Sequence, residues 1–263
     1  MGKNCAAMNM AIDEAILIAQ KDQPNPTLRF YDWEIPAFSF GYFQDINSEV
    51  DVKACCLDKI ELVKRMTGGG TVVHGWDLTY TLILPRHARE SGIAETYQQI
   101  GKSLVKAFEK LAIPAKCYSA TADLSQSSHN ICLTNPAEND VMCDGKKLAG
   151  VSTRRNRNGI LFQGYISLDM PPDPILKRVS QRPEIQEMLC DKSAAINMDG
   201  RFITRSSLIQ AICETFDVQI NGMNALMAFP GITFNSGKLS LTEKKQAEML
   251  ANTKYITAAW NFH

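Results

Sequence analysis

Apolar side chains recur at helical spacing in two long stretches of the chain. Residues 6–20 and 95–111 each place their apolar positions on one face, which predicts amphipathic helices. Asp13 and Glu14 lie away from the apolar stripe of the first stretch. Shorter runs rich in aromatic and β-branched residues predict strands over 27–31, 37–43, 78–84 and 160–168, and Ser48 resembles the N-cap of a short helix ending at Leu57.

Turn signals organise the second half of the chain. Asp144-Gly145 divides residues 140–154 into two predicted strands, and this dipeptide is a strong hairpin signal. Pro171-Pro172 marks a boundary beyond which the pattern becomes mostly helical, with a closing helix over 241–251. The pattern predicts an α+β fold of mixed and antiparallel sheets flanked by helices. We expect a single domain over 1–263, with a mostly helical C-terminal part from about residue 171.

Bulk composition narrows the class of protein. The chain has 263 residues, 45% of them apolar, which supports an ordinary packed core. Its 28 basic and 28 acidic residues balance, which argues against a general nucleic-acid binder. No apolar stretch approaches the roughly 20 residues needed to span a membrane. The eight cysteines form no Cys-x-x-Cys pair and the four histidines add no zinc pattern, so we expect a cytoplasmic, monomeric protein with reduced thiols and no metal.

The most informative motif is a basic, glycine-rich segment over residues 64–74. Gly68, Gly69 and Gly70 follow an apolar run and a basic pair that includes Arg65. Glycines let a ligand approach the main chain, and backbone N–H groups with an arginine can hold a phosphate or carboxylate. The segment is neither a Walker loop nor a dinucleotide fingerprint, because the required lysine and glycine spacings are missing. A flexible hairpin turn is the alternative.

A second candidate is the lysine that follows the predicted hairpin turn. If Leu148 faces the core, strand alternation turns Lys147 to the opposite side, where a cleft could receive it. A lysine beside an anion-binding loop can polarise a carbonyl. A solvated surface lysine is the alternative explanation of the same spacing.

These motifs, in this order, resemble the lipoate/biotin protein ligase and octanoyltransferase superfamily. The resemblance is carried by residues 9–14, 28–31, 38–44, 64–74, 145–150 and 241–261, which together span nearly the whole chain. It implies a biotin/lipoate ligase catalytic-domain-like fold and places Lys147 on the catalytic lysine of the family. It also implies substrate-binding roles for Arg65, Thr67, Gly68, Gly69, Gly70, Val73, His74, Tyr42, Asp140, Gly150 and Ser152. Tyr42, Phe43 and Val73 are expected to line an apolar tunnel, although aromatic core packing would explain them as well.

Cys132 favours the acyltransferase branch of this superfamily. It lies 13 positions before Gly145, which resembles the nucleophile position of a cysteine-dependent octanoyltransferase. The resemblance then implies transfer of an octanoyl or lipoyl group from octanoyl-acyl carrier protein, through a Cys132 thioester, to a lysine of a lipoyl domain. Acceptors of this kind are the glycine cleavage H protein and 2-oxoacid dehydrogenase E2. No cofactor is required on this route.

The sequence is also compatible with other functions. Cys132 could be inert in an ATP-dependent lipoate–protein ligase that forms lipoyl-AMP, and only that reaction would need ATP and Mg²⁺. The segment 147–155 also resembles an amidotransferase that moves octanoyl groups between lipoyl domains. A non-catalytic acyl-binding subunit is a third possibility. The chain ends soon after the catalytic-domain signature, which favours a transferase over ligases with an additional C-terminal domain.

Overall fold

The computed structural model describes residues 2–86, 92–119, 136–180, 183–198, 200–222 and 236–262. Its strands are β1 (Gly2–Asn4), β2 (Thr27–Trp33), β3 (Ala37–Phe40), β4 (Glu61–Lys64), β5 (Val72–His74), β6 (Asp77–Pro85), β7 (Ala115–Cys117), β8 (Val141–Cys143), β9 (Lys146–Arg155) and β10 (Gly159–Ser167). Its helices are α1 (Ala6–Ala19), α2 (Ile46–Glu49), α3 (Val52–Leu57), α4 (Ile93–Lys110), α5 (Asp173–Leu176), α6 (Pro183–Lys192), α7 (Arg205–Gly222), α8 (Leu241–Leu250) and α9 (Ala258–Asn261). A π-helical turn, Ala251–Tyr255, joins the last two.

The strands form a large and a small sheet. The large sheet has the order β1-β2-β6-β10-β9-β8-β7 and is antiparallel except for the β1–β2 pair. The small sheet has the order β4-β3-β5, with β4 parallel and β5 antiparallel to β3. This arrangement confirms the predicted α+β class. Within the described part of the chain, no helix is long and apolar enough to cross a membrane.

Helices cover both faces of the large sheet. α4 and α7 pack against one face, where alternate residues of β6 and β10 such as Tyr80 and Phe162 are completely buried. α1 and α8 cover part of the opposite face, and the small sheet builds a third apolar cluster around Phe38 and Phe40. Burial of these apolar faces holds the elements together.

The structure corrects two local predictions and buries one charged residue. The strand predicted over 37–43 ends at Phe40, because Gly41 packs so closely on the glycine-rich loop that a Cβ there would lie 1.9 Å from the carbonyl oxygen of Gly69. The short helix capped by Ser48 is two helices, capped by the carboxylates of Asp45 and Asp51. Asp13, although it lies away from the apolar stripe of α1, is completely buried.

Candidate active site

One row of residues crosses four neighbouring strands of the large sheet. Tyr31 of β2 lies opposite Thr79 of β6, Thr79 lies opposite Tyr165 of β10, and Tyr165 lies opposite Gly150 of β9. Directly opposed residues share one face of a sheet. Three inter-strand spacings separate the ends of the row by about 14 Å.

This row forms the floor of a pocket between the two sheets. The pocket is narrow, and the roughly 360 Å³ of space between its walls includes open solvent at its mouth. Besides the row, its lining consists of Met10, Trp33, Ser39, Arg65, Val72, His74, Val151, Ser152, Gln163 and Gly164. A mainly apolar lining with a few placed polar groups is typical of a small-molecule site.

At the β2 end of the row, His74 lies within a buried hydrogen-bonded chain. Its Nδ1 is 2.9 Å from a carboxylate oxygen of Asp77, and its Nε2 is 2.6 Å from Oγ of Ser39. The Ser39 oxygen also accepts from the Arg65 guanidinium, so the His74 ring is held between two hydrogen-bonded partners.

Trp33 closes the pocket against this histidine. Its ring stacks on His74 with the centroids 4.0 Å apart, and its Nε1–H donates to Oγ1 of Thr79 at 2.8 Å. Thr79 in turn donates to Asp77. Burial alone would raise the pKa of Asp77, but the His74 ring and the hydrogen bonds from His74, Thr79 and the Gly75 N–H lower it below its ordinary value. The end wall is therefore rigid and its hydrogen bonds fix each ring.

Arg65 organises the glycine-rich loop. Its guanidinium donates to the carbonyl oxygens of Gly68 and Gly70 as well as to Ser39. In this structure those donors therefore bind loop carbonyls and not a substrate anion, the role that the sequence motif predicts for them. Gly69 adopts a φ of +86°, a conformation that favours glycine. The loop is a fixed structure rather than a flexible turn.

Thr67 links the loop to the large sheet. Its hydroxyl accepts from Ser152 Oγ and donates to Oε1 of Gln163, at 2.9 Å in each case. The Gln163 amide donates to the buried carboxylate of Asp13, which also pairs with Arg29 at 2.6 Å. This continuous network of hydrogen bonds explains how helix α1 can bury the charged side chain of Asp13. It also fixes the position of the loop over β9 and β10.

At the β9 end of the row, Lys147 and Asp140 form a buried ion pair. The Lys147 ammonium lies 2.6 Å from a carboxylate oxygen of Asp140, and both side chains are almost inaccessible to solvent. Gly150 makes room for the pair, since a Cβ at that position would lie 2.8 Å from Cε of Lys147. A solvated hairpin lysine is thus excluded.

A β-bulge directs Lys147 towards this site. The register between β8 and β9 shifts between Val141 and Met142, which leaves Leu148 without an opposed residue. Leu148 and Ala149 consequently both pack into the core, and Lys147 lies beside Gly150 on the pocket face. The Asp144-Gly145 turn that precedes it has positive φ at both residues, as predicted for a tight hairpin.

The neighbours of Asp140 offset only part of the effect that burial has on its pKa. Burial raises the pKa of Asp140, while the Lys147 ammonium and the N–H groups of Ala137 and Val151 oppose that rise. The pair can thus present a fixed ammonium group to a carbonyl oxygen that develops negative charge.

The predicted site residues are brought together in part. Arg65, His74, Gly150 and Ser152 line the pocket, Lys147 and Asp140 adjoin it at Gly150, and Thr67 with Gly68, Gly69 and Gly70 forms the loop beside it. Sequence reasoning missed Ser39, Asp77, Trp33 and Gln163, whose only signal is their position on pocket-facing strands.

The side chains expected to line an apolar tunnel do not line the pocket formed by the described residues. Phe43 is 86% exposed. Side chains alternate along β5, so Val72 lines the pocket and Val73 packs into the core of the small sheet. Tyr42 lies beside the loop, against Trp260 and Arg154, and not among the lining residues that the structure describes. Cys132 lies outside the described residues.

Comparison with known proteins identifies the class. The model of the family "Lipoyl protein ligase A/B catalytic domain" matches residues 5–217. The chain belongs to this family.

Two curated relatives are similar over almost the full chain. Octanoyltransferase LipM of Symbiobacterium thermophilum is 32% identical, covering 96% of this chain and 93% of the relative. Octanoyltransferase LipM of Kyrpidia tusciae is 30% identical, covering 99% of this chain and 96% of the relative. These relatives confirm the prediction of an acyltransferase enzyme.

A solved structure shares the fold. The putative lipoate protein ligase from T. acidophilum with bound lipoic acid superposes with a TM-score of 0.79 at 22% identity, covering 99% of this chain and 95% of that chain. The predicted ligase-like catalytic fold is therefore confirmed.

Proposed function

We propose that the chain transfers an octanoyl group from acyl carrier protein to a lysine of a lipoyl domain, by way of a thioester on Cys132. The full-length similarity to octanoyltransferases carries this proposal. Pocket geometry supports it, since a mainly apolar pocket extends from Trp33 to Gly150, which lies beside the buried Lys147 ammonium.

The reaction has two balanced steps. The Cys132 thiol loses its proton, its sulfur attacks the donor carbonyl carbon, and the donor sulfur leaves and takes up a proton. The acceptor amine then attacks the Cys132 thioester, an amide forms, and the cysteine thiol is restored. One thioester replaces another in the first step, so ATP is not consumed.

Lys147 supplies the electrostatic contribution. Its ammonium stabilises the oxyanion that forms in both steps, and Asp140 holds it in place at 2.6 Å.

A turnover assay tests the proposal. Purified protein, octanoyl-acyl carrier protein and an unmodified lipoyl domain are incubated without ATP, and octanoylated domain is quantified by mass. We expect turnover by the unmodified protein and by the exposed-thiol control Cys56→Ser, and none by Cys132→Ser. Modification that needs free acid and ATP, and that survives Cys132→Ser, would instead support a ligase.

A further inference from the structure

Arg154 is a positioned cation on the pocket face of β9. It lies opposite Leu161, as Ser152 lies opposite Gln163 and Gly150 opposite Tyr165, so alternation puts Gly150, Ser152 and Arg154 on one face. The guanidinium carbon lies 4.9 Å from the centroid of the Tyr42 ring, which holds it beside the glycine-rich loop.

The guanidinium retains its hydrogen-bonding capacity. Over the described ranges, the stacking on Tyr42 is its recorded contact, and neither a carboxylate nor a carbonyl oxygen is paired with it. Arg65 and Arg29 differ in this respect, since loop carbonyls or Asp13 engage their donors. A half-buried, stacked arginine with free donors is suited to bidentate hydrogen bonding of an anion.

The distance between Arg154 and the Lys147 end of the pocket is close to the length of the arm that carries an acyl thioester. Lys147 adjoins Gly150, and four residues of strand separate Gly150 from Arg154, which corresponds to about 13 Å. The pantetheine arm that carries an acyl thioester has about 13 bonds between its sulfur and its phosphorus, or about 16 Å when extended. The length of the Arg154 side chain accounts for the difference between the distance along the strand and the length of the extended arm.

We propose that Arg154, stacked on Tyr42, binds the phosphate of the phosphopantetheine arm of the acyl donor. The inference rests on the proposed function, because it assumes a thioester donor whose carbonyl lies at Lys147. The arm then runs along the pocket face of β9 past Ser152, with its sulfur at the Lys147 end and its phosphate at the Arg154 end.

Two small donors test the proposal. Octanoyl-phosphopantetheine and octanoyl-pantetheine differ only in the phosphate, and acyl-enzyme formation gives kcat/KM for each. We expect the unmodified protein to prefer the phosphorylated donor by about tenfold or more. Arg154→Gln should abolish the preference and leave the rate with octanoyl-pantetheine within about twofold. Arg155→Gln is the matched control, since this neighbour carries the same charge on the opposite face and is exposed.

Other results would overturn the proposal. These are equal rates for the two donors in the unmodified protein, an equal loss for both donors in Arg154→Gln, or the same loss in Arg155→Gln. A defect of Arg154→Gln confined to transfer from isolated octanoyl-enzyme to the acceptor would assign the residue to an acidic acceptor surface instead.

A binding measurement separates this inference from the proposed function. If neither donor acylates the unmodified protein, the transfer reaction fails, and calorimetric affinities for the two donors decide the phosphate site. Tighter binding of the phosphorylated donor that is lost in Arg154→Gln supports it. Equal affinities refute it.

Discussion

The Lys147 ammonium and the Asp140 carboxylate lie 2.6 Å apart, inside the protein, at the end of a row of residues that crosses four strands. Removing one member of such a pair leaves an uncompensated buried charge. The stability of the fold and the chemistry of the site are therefore coupled at these two residues.

Lys147→Met tests whether these two contributions can be separated. We expect it to lower the free energy of unfolding by about 3–5 kcal/mol, because Asp140 loses its counter-charge. The double variant Lys147→Met/Asp140→Asn should recover much of that loss, because no buried charge remains. Octanoyl transfer should stay absent in both. Urea unfolding and the transfer assay provide the measurements, and recovery of activity in the double variant would refute the role of the ammonium.

Gly150→Ala should displace Lys147 without replacing any charged group. The added Cβ would lie 2.8 Å from Cε and 3.1 Å from Nζ of Lys147. We expect kcat to fall at least about tenfold, since an ammonium displaced from the reacting carbonyl loses most of its effect. Gly237→Ala is the matched control, because no atom lies within 4 Å of its added Cβ. Equal activity of the two variants would contradict the placement of Lys147.

Asp77→Asn should change the pH dependence of stability. The pKa of Asp77 is lower in the folded protein than its ordinary value, so its ionised form stabilises the fold at pH values above about 4. This contribution is complete at neutral pH and is lost as the pH falls through the folded-state pKa. We expect a deficit of about 1.5–3 kcal/mol in Asp77→Asn at pH 7. Urea unfolding at stepped pH should show the deficit shrinking below about pH 4, and a constant deficit would contradict this explanation.

Arg65→Lys should disorder the glycine-rich loop despite keeping the charge. One ammonium group cannot reproduce the fork that joins Ser39 to the carbonyls of Gly68 and Gly70. We expect a raised KM for the acyl donor and faster hydrogen exchange of the loop amides. Unchanged exchange together with a raised KM would indicate instead that Arg65 binds the substrate directly.

The sequence predicted the parts of the fold that depend on local pattern. Helices α1 and α4 follow their apolar periodicity, and the Asp144-Gly145 hairpin follows from the positive φ angles that the turn requires. Strands β1 and β7 were missed because three residues are too few to show alternation.

The residues of the candidate active site could be predicted only where they belong to a recognisable sequence motif. Lys147 and the glycine-rich loop stand out in the sequence, whereas Ser39, Asp77 and Trp33 acquire meaning through contacts with His74 and Thr79 across separate strands. The burial of Asp13 depends on contacts of the same kind. Its buried carboxylate is satisfied by Arg29 and Gln163, which are distant in sequence. The side of β5 that faces the pocket was not readable from the sequence, because a strand of three residues shows too little alternation.

The central claim is that the acyl group passes through Cys132. Intact-mass analysis of protein incubated with octanoyl-acyl carrier protein alone tests it most directly. We expect one octanoyl group on the unmodified protein and on Cys56→Ser, none on Cys132→Ser, and loss of the group when a lipoyl domain is added. An octanoyl adduct that persists in Cys132→Ser, or acceptor modification by that variant, would contradict the account.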